Sequence, residues 1–210
     1  MIGERTDVFN GKPVMVYLPG GVRYEVTAES PRLGIGVAAA PTDVEWPPAI
    51  VNPADVIERS VGVWNWRRKV CVAVGDNVQA RRLIVGETLN PPGNWSSFPP
   101  HKHDEKDADE SPYEEVYFFR IKPSQGYGIQ RIYTAPGSRD PLDEVYVIKN
   151  NDTIIIPRGY YPVVAGPGYE LYYLWILAGE ERKYGAWSDD PQHSWLKNCE
   201  PVIRDILAPR

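Results

Sequence analysis

The chain has 210 residues, 42% of them hydrophobic, with 23 Lys and Arg against 28 Asp and Glu and a formal net charge of −5. That is enough apolar material for a sizeable core, and no apolar run approaches the length of a membrane span, so no membrane partner is expected. The positive residues are scattered apart from Arg67–Lys69 and Arg81–Arg82, which argues against a nucleic-acid surface.

The opening "MIGERTDVFNGK" has no apolar segment of the secretory kind. Cys71 and Cys199 are too few for a disulfide framework. Both features point to a cytoplasmic protein with reduced thiols. The 21 prolines and 18 glycines break the chain at short intervals, which disfavours long helices. Between the breaks lie β-branched and aromatic runs that read as strands. In chain order these are "PVMVYLP", "RYEVTA", "LGIGVAAA", "KVCVAVG", "RRLIVGETL", "EEVYFFRI", "YGIQRIYT", "DEVYVIK", "DTIIIP" and "ELYYLWIL". The last reads as a buried strand rather than a sugar platform. Pro53–Arg59 predicts one or two helical turns, with Asn52 placed as an N-cap. A short helix is expected near Pro201–Leu207. Strands at this spacing predict an all-β barrel or sandwich. The first strand series ends near Val63; a second runs from about Asn65 to Ala178.

The most unusual stretch is "FPPHKHDEKDADESPYEEVYFF", residues 98–119, which holds two of the three histidines. On a strand, residues two apart share a face, so His101 and His103 point the same way. Glu115 has the parity of Tyr117 and Phe119, and a hairpin brings it beside the imidazoles. Two imidazoles and a carboxylate suit a divalent metal: zinc, manganese, iron or nickel. The competing reading is a solvated acidic loop, since seven of the twelve residues from Asp104 to Glu115 are acidic. On either reading, Asp104–Glu110 is expected to be exposed and mobile.

The segments "PPGNWSSFPPHKHDE", "EEVYFFRI", "GYGIQRIYT", "IIIPRGYYPVVAGPGYELYYLWILAG" and "DDPQHSW" resemble the 5-deoxy-glucuronate isomerase family. The likeness covers most of the chain and is most specific from Gly93 to Gly179. It implies a cupin fold, with two barrels per chain. The N-terminal barrel would be incomplete here (1–64), and the C-terminal barrel (65–210) would carry the site. It implies an intramolecular oxidoreductase of bacterial inositol catabolism, an aldose–ketose isomerase converting 5-deoxy-glucuronate to 5-dehydro-2-deoxy-gluconate. It also implies a metal held by His101, His103 and Glu115. Two departures stand out. Tyr161 in "PRGYYPV" occupies the place of the family's fourth ligand, a histidine, and the chain starts later than the family pattern.

Moving a carbonyl from C1 to C2 needs a proton relay, for which Glu115 and Tyr161 are candidates. A small acidic sugar substrate favours an arginine clamp, for which Arg131 and Arg158 are candidates. An open edge on the short N-terminal part motivates a homo-oligomer. Two alternatives stay open. One is a non-catalytic cupin-fold protein that binds sugar acids or regulates. The other is a different metal-dependent cupin enzyme.

Overall fold

The structure is a computed structural model, and it describes residues 2–208. Fourteen strands and one α-helix carry the fold. The strands are β1 (Met15–Tyr17), β2 (Ala49–Val51), β3 (Ile57–Val61), β4 (Arg68–Val74), β5 (Leu83–Asn90), β6 (Trp95–Ser96) and β7 (His101–Lys102). They continue with β8 (Glu114–Lys122), β9 (Gly128–Tyr133), β10 (Asp143–Ile148), β11 (Thr153–Ile156), β12 (Val163–Ala165), β13 (Glu170–Ala178) and β14 (Ser188–Asp189). Helix α1 spans Leu196–Leu207.

A six-stranded sheet runs β11-β8-β13-β5-β4-β3 and faces a four-stranded sheet, β10-β9-β12-β6. All pairings are antiparallel, and two short ribbons, β1-β2 and β14-β7, complete the set. The inward face of the large sheet can be read row by row from its register. One row is Val70, Thr88, Tyr173 and Phe119. The next is Val72, Gly86, Trp175, Tyr117 and Ile154, and a further one is Ile84, Leu177, Glu115 and Ile156. Alternation along each strand sends these side chains into one core, closed from the other side by Ile132, Val163 and Ala165. The outer face of the same strands forms a second cluster of Cys71, Ala73, Val85 and neighbours, covered by β1 and β2 through Tyr17 and Val51.

Arg5 fastens this cover. Its guanidinium donates to both oxygens of Glu87, at 2.7 and 2.5 Å, and the Tyr172 hydroxyl donates to the same carboxylate at 2.6 Å. Glu87 is 2% exposed, so this is a buried charge with its partners in place.

Most expected strands form, and "ELYYLWIL" is the buried β13. Two do not. "RYEVTA" and "LGIGVAAA" stay extended without a strand partner among the described residues, and Tyr24, Val26, Leu33, Ile35 and Val37 are exposed. Their alternation is strand-like, but no sheet edge is offered to them. Of the one or two helical turns expected over Pro53–Arg59, one forms, Pro53–Asp55, with Asn52 at its N-cap and the Asp55 carboxylate accepting from the Asn52 backbone at 3.0 Å. The chain then joins the sheet as β3. The C-terminal helix starts earlier than expected and contains Pro201. Glu200 on it accepts from the Trp66 indole at 3.1 Å, and Arg204 donates to the Gly62 carbonyl. The two cysteines are free.

Gly86 shows how tightly the sheet and core meet. A Cβ there would overlap the Trp175 ring and the Cys71 carbonyl oxygen. Gly86→Ala should therefore destabilise the protein by about 2–3 kcal/mol through overpacking, read as a lowered urea midpoint with an unchanged slope.

Candidate functional site

The opening residues of β7 and β8 bring the site together. His103 Nε2 donates to Glu115 Oε2 at 2.9 Å, and both residues are buried. The Tyr161 ring lies 5.1 Å from the His101 ring and 5.4 Å from the His103 ring, both edge-on. His101 stacks on the other side toward Trp187, with ring centroids 5.0 Å apart. His101, His103, Glu115 and Tyr161 thus form one group, with Tyr161 at 1% exposure in its middle.

Local sequence explains the placement. Gly159 adopts a positive φ of 79°, and a Cβ there would overlap the Tyr133 carbonyl oxygen. Its N–H donates to the Asp104 carboxylate at 2.6 Å, which joins the 159–161 turn to the chain leaving β7. Lys102 bonds Asp104, Glu105 and Glu110 together. Glu110 is 3% exposed and also accepts from the Asp104 and Glu105 backbone at 2.8 Å. Of the 104–110 stretch expected to be exposed, residues 105–109 face solvent, while Glu110 is buried and Lys102 gives the loop an internal counter-charge.

The electrostatics follow from burial. Burial, reinforced by the nearby Glu115 charge, pushes the Tyr161 phenol well above its usual value, so it is a neutral hydroxyl beside a carboxylate. Burial works against charge on His103, but the Glu115 carboxylate outweighs it and raises this imidazole's pKa. His101 has no such partner. Burial first, then His103 and Arg68, lower it to about 3.

His103 Nε2 lies 2.9 Å from the Glu115 carboxylate oxygen, about the separation of two neighbouring ligands on one ion. The other His103 nitrogen is buried without a partner, and His101 Nδ1 lies 3.3 Å from the Pro99 carbonyl. Among the described residues, no three His, Cys, Asp or Glu side chains are grouped as a metal site. The metal set of His101, His103 and Glu115 is therefore a proposal, and the neutral phenol of Tyr161 stands beside it.

The two candidate arginines are elsewhere. Arg131 grips Asp143 with two hydrogen bonds, at 2.7 and 2.8 Å, and lies over the Tyr133 ring. Arg158 pairs with Asp140 at 3.1 Å. Both are part-exposed and paired with an acid, and the structure does not bring them into the His103–Glu115 group. Arg131 lines a surface cleft of about 410 Å³ with Tyr133, Asp190 and His193. There the Tyr133 hydroxyl donates to Asp190 at 2.6 Å, and His193 Nε2 lies 3.9 Å from the same oxygen.

The sequence reading did not single out a set of interior hydroxyls. Ser97 bonds the Tyr117 hydroxyl at 2.9 Å and Ser96 bonds that of Tyr173. Tyr117 and Tyr173 stack at 4.4 Å, and Tyr117 lies 5.9 Å from Tyr161. Strand parity was the available signal, since Tyr117 and Tyr173 alternate inward with Phe119 and Trp175.

An antiparallel barrel of this form, with a buried polar cluster between its sheets, is a cupin. Residues 1–196 match the model of the KduI/IolB family. The chain is 40% identical over 197 residues to the 5-deoxy-glucuronate isomerase of Geobacillus thermodenitrificans, covering 93% of this chain and 70% of that protein. It is 35% identical over 198 residues to the enzyme of the same name from Bacillus subtilis strain 168, covering 93% and 71%. The crystal structure of an IolB-like protein from Salmonella typhimurium superposes with a TM-score of 0.70 at 35% identity. That match covers 75% of this chain and 59% of the Salmonella protein, so the chain spans well under the whole of that relative. The chain belongs to the KduI/IolB family.

Removing the shared acceptor should be costly. Glu115→Ala leaves His103 without its partner in a buried setting and should cost about 3 kcal/mol. Glu115→Gln, which keeps an acceptor oxygen, should cost less than half as much in the same chemical denaturation experiment.

Proposed function

We propose that the protein is an aldose–ketose isomerase of the 5-deoxy-glucuronate type, forming 5-dehydro-2-deoxy-gluconate in inositol catabolism. The observation that carries this reading is the buried 2.9 Å contact of Glu115 with His103, whose ring lies 5.4 Å from that of the neutral Tyr161. Family membership and the names of the relatives support it.

The chemistry asks for little more than these groups. Glu115 takes the proton from C2 of the aldehyde. The C2–H electron pair becomes a C1=C2 bond, and the C1 oxygen takes a proton from the Tyr161 hydroxyl, giving an enediol. The C2 hydroxyl then returns a proton to Tyr161 as C2=O forms, and Glu115 delivers its proton to C1. Burial keeps Tyr161 protonated, and the low-dielectric surroundings strengthen its hydrogen bond to developing charge, which offsets the cost of parting with a proton that burial holds tightly. His103 holds the carboxylate in place, as a positioning residue. No step is assigned to a metal.

The second reading, a protein that binds a sugar acid without turning it over, is favoured by one observation. Aromatic rings surround Tyr161 on several sides, and its own side chain is almost wholly enclosed. The two differ in a turnover assay with 5-deoxy-glucuronate. On the isomerase reading, Glu115→Gln should lower kcat at least a hundredfold, and Tyr161→Phe should lower it while leaving binding of a non-reacting sugar acid unchanged. No turnover by the wild-type protein, with binding intact, decides for the second reading.

The division into a partial N-terminal cupin (1–64) and a C-terminal cupin (65–210), and assembly into a homo-oligomer, belong to the same proposal. Support for the oligomer comes from β10, an edge strand on which Val145, Tyr146 and Val147 are exposed. Tyr161→His should bring divalent metal to the cluster by adding a neutral nitrogen donor, seen as metal retained after dialysis in the variant and not in the wild-type protein.

A further inference from the structure

A sugar acid carries a carboxylate, and a buried site must neutralise it. Arg131 and Arg158 are taken by Asp143 and Asp140. Arg68 is not taken. It opens β4 on the inward face, two residues before Val70 and four before Val72, both in the barrel core. One guanidinium nitrogen, Nη1, donates to the Trp66 carbonyl at 3.1 Å and the Phe98 carbonyl at 2.9 Å. Among the described residues Nε and Nη2 make no hydrogen bond, and neither is sealed from solvent. No Asp or Glu lies within ion-pair distance of Arg68 among the described residues. The two carbonyls therefore fix the side chain by one corner and leave the Nε–Nη2 edge open. That edge is the one that takes a carboxylate with two parallel hydrogen bonds.

The surroundings point to a polar ligand as well. Burial disfavours the Arg68 charge, and the nearby groups that favour it are the hydroxyls of Tyr173, Tyr184 and Tyr117 and the more distant Glu200. The same positive charge is felt by His101. The Phe98 carbonyl that holds Arg68 belongs to the segment that leads into His101, which places the guanidinium on the approach to the His101–Tyr161 group. Strand register adds a second observation. Lys69 pairs with Leu89, so the next position sets Arg68 across from Asn90. Asn90 is 1% exposed, and neither its amide nitrogen nor its oxygen has a partner. An unpaired buried amide beside a half-free guanidinium is a costly arrangement for an empty core.

We propose that Arg68 is the carboxylate-binding residue of the site: its Nε–Nη2 edge holds the acid group of a sugar acid, Asn90 takes a neighbouring hydroxyl, and the other end of the sugar lies toward Tyr161 and Glu115. This rests on the sugar-acid reading of the site, but not on turnover. It supplies the specificity that Glu115 and Tyr161 lack, since both handle only the hydroxyl and carbonyl end.

The test compares two non-reacting probes, D-glucuronate and its uncharged amide, D-glucuronamide, by calorimetry on the full chain. The wild-type protein should bind glucuronate at least tenfold more tightly, as expected for a charge-assisted pair. Arg68→Met should bring the two affinities within about twofold by weakening glucuronate alone, and Arg68→Lys should restore part of the preference. If Arg68 serves only to hold the Trp66 and Phe98 carbonyls, Arg68→Met will weaken both probes alike and lower the melting temperature, and the assignment falls. It falls equally if the wild-type protein shows no preference for the acid, or binds neither probe. A wild-type protein that prefers glucuronate through Arg68 but does not isomerise 5-deoxy-glucuronate would overturn the isomerase reading and leave the assignment standing. Turnover with a preference untouched by Arg68→Met would do the reverse.

Discussion

Strand β13 is hydrogen-bonded along its length to β8 on one side and to β5 on the other, and the rest of the barrel takes its position from that double pairing. Because side chains alternate, this one register decides that Tyr173, Trp175 and Leu177 face inward while Tyr172, Leu174 and Ile176 face the N-terminal cover. The same register sets Glu115 across from Leu177 and Glu87 across from Leu174. Two buried carboxylates thus sit on opposite faces of one sheet. Glu87 meets the Arg5 cation and serves attachment. Glu115 meets an imidazole and a phenol, groups that can exchange protons, and so it is the one available for chemistry.

The cluster around Tyr161 shows what a single change of donor does to a site. A histidine at this position would offer a neutral nitrogen with a lone pair. A tyrosine offers a proton instead, and burial makes that proton hard to lose. The Glu115 carboxylate pairs with His103. The result is a buried group of carboxylate, imidazole and phenol.

Much of this was legible beforehand, for reasons that can be named. "EEVYFFRI" and "ELYYLWIL" show their strand character in β-branched and aromatic residues, and both faces of each are covered, so local and tertiary preferences agree. His101, His103 and Glu115 were grouped by spacing and strand parity, and by the family resemblance, and the structure brings them to one place. "RYEVTA" carries the same alternation but misleads, because a strand needs an edge to pair with and the sequence does not say whether one is free. The acidic stretch misleads for a related reason: its counter-charge is Lys102, which sits among the histidines and was read as part of their motif. Arg68 is the clearest omission. It was counted within a basic run, "RRK", although its parity with Val70 and Val72 placed it on the inward face. Charge type outweighed strand parity in that reading, and parity was the better guide.

Tyr160 and Tyr161 are neighbours in sequence that belong to different surroundings. Tyr160 exchanges backbone hydrogen bonds with Tyr133, in both directions, and its ring packs 5.2 Å from that ring, beside the Asp190–His193 cleft. Tyr161 enters the interior among the histidines. The segment between Gly159 and Pro162 is therefore a partition wall one residue thick. An insertion or deletion of a single residue there would exchange the two surroundings at once, turning the interior phenol toward Tyr133 and drawing the other ring in among the histidines. The length of this segment is consequently under a stricter constraint than its composition. Side chains at 160 and 161 can drift separately, each answering to its own compartment, while the spacing that keeps the compartments apart cannot drift at all.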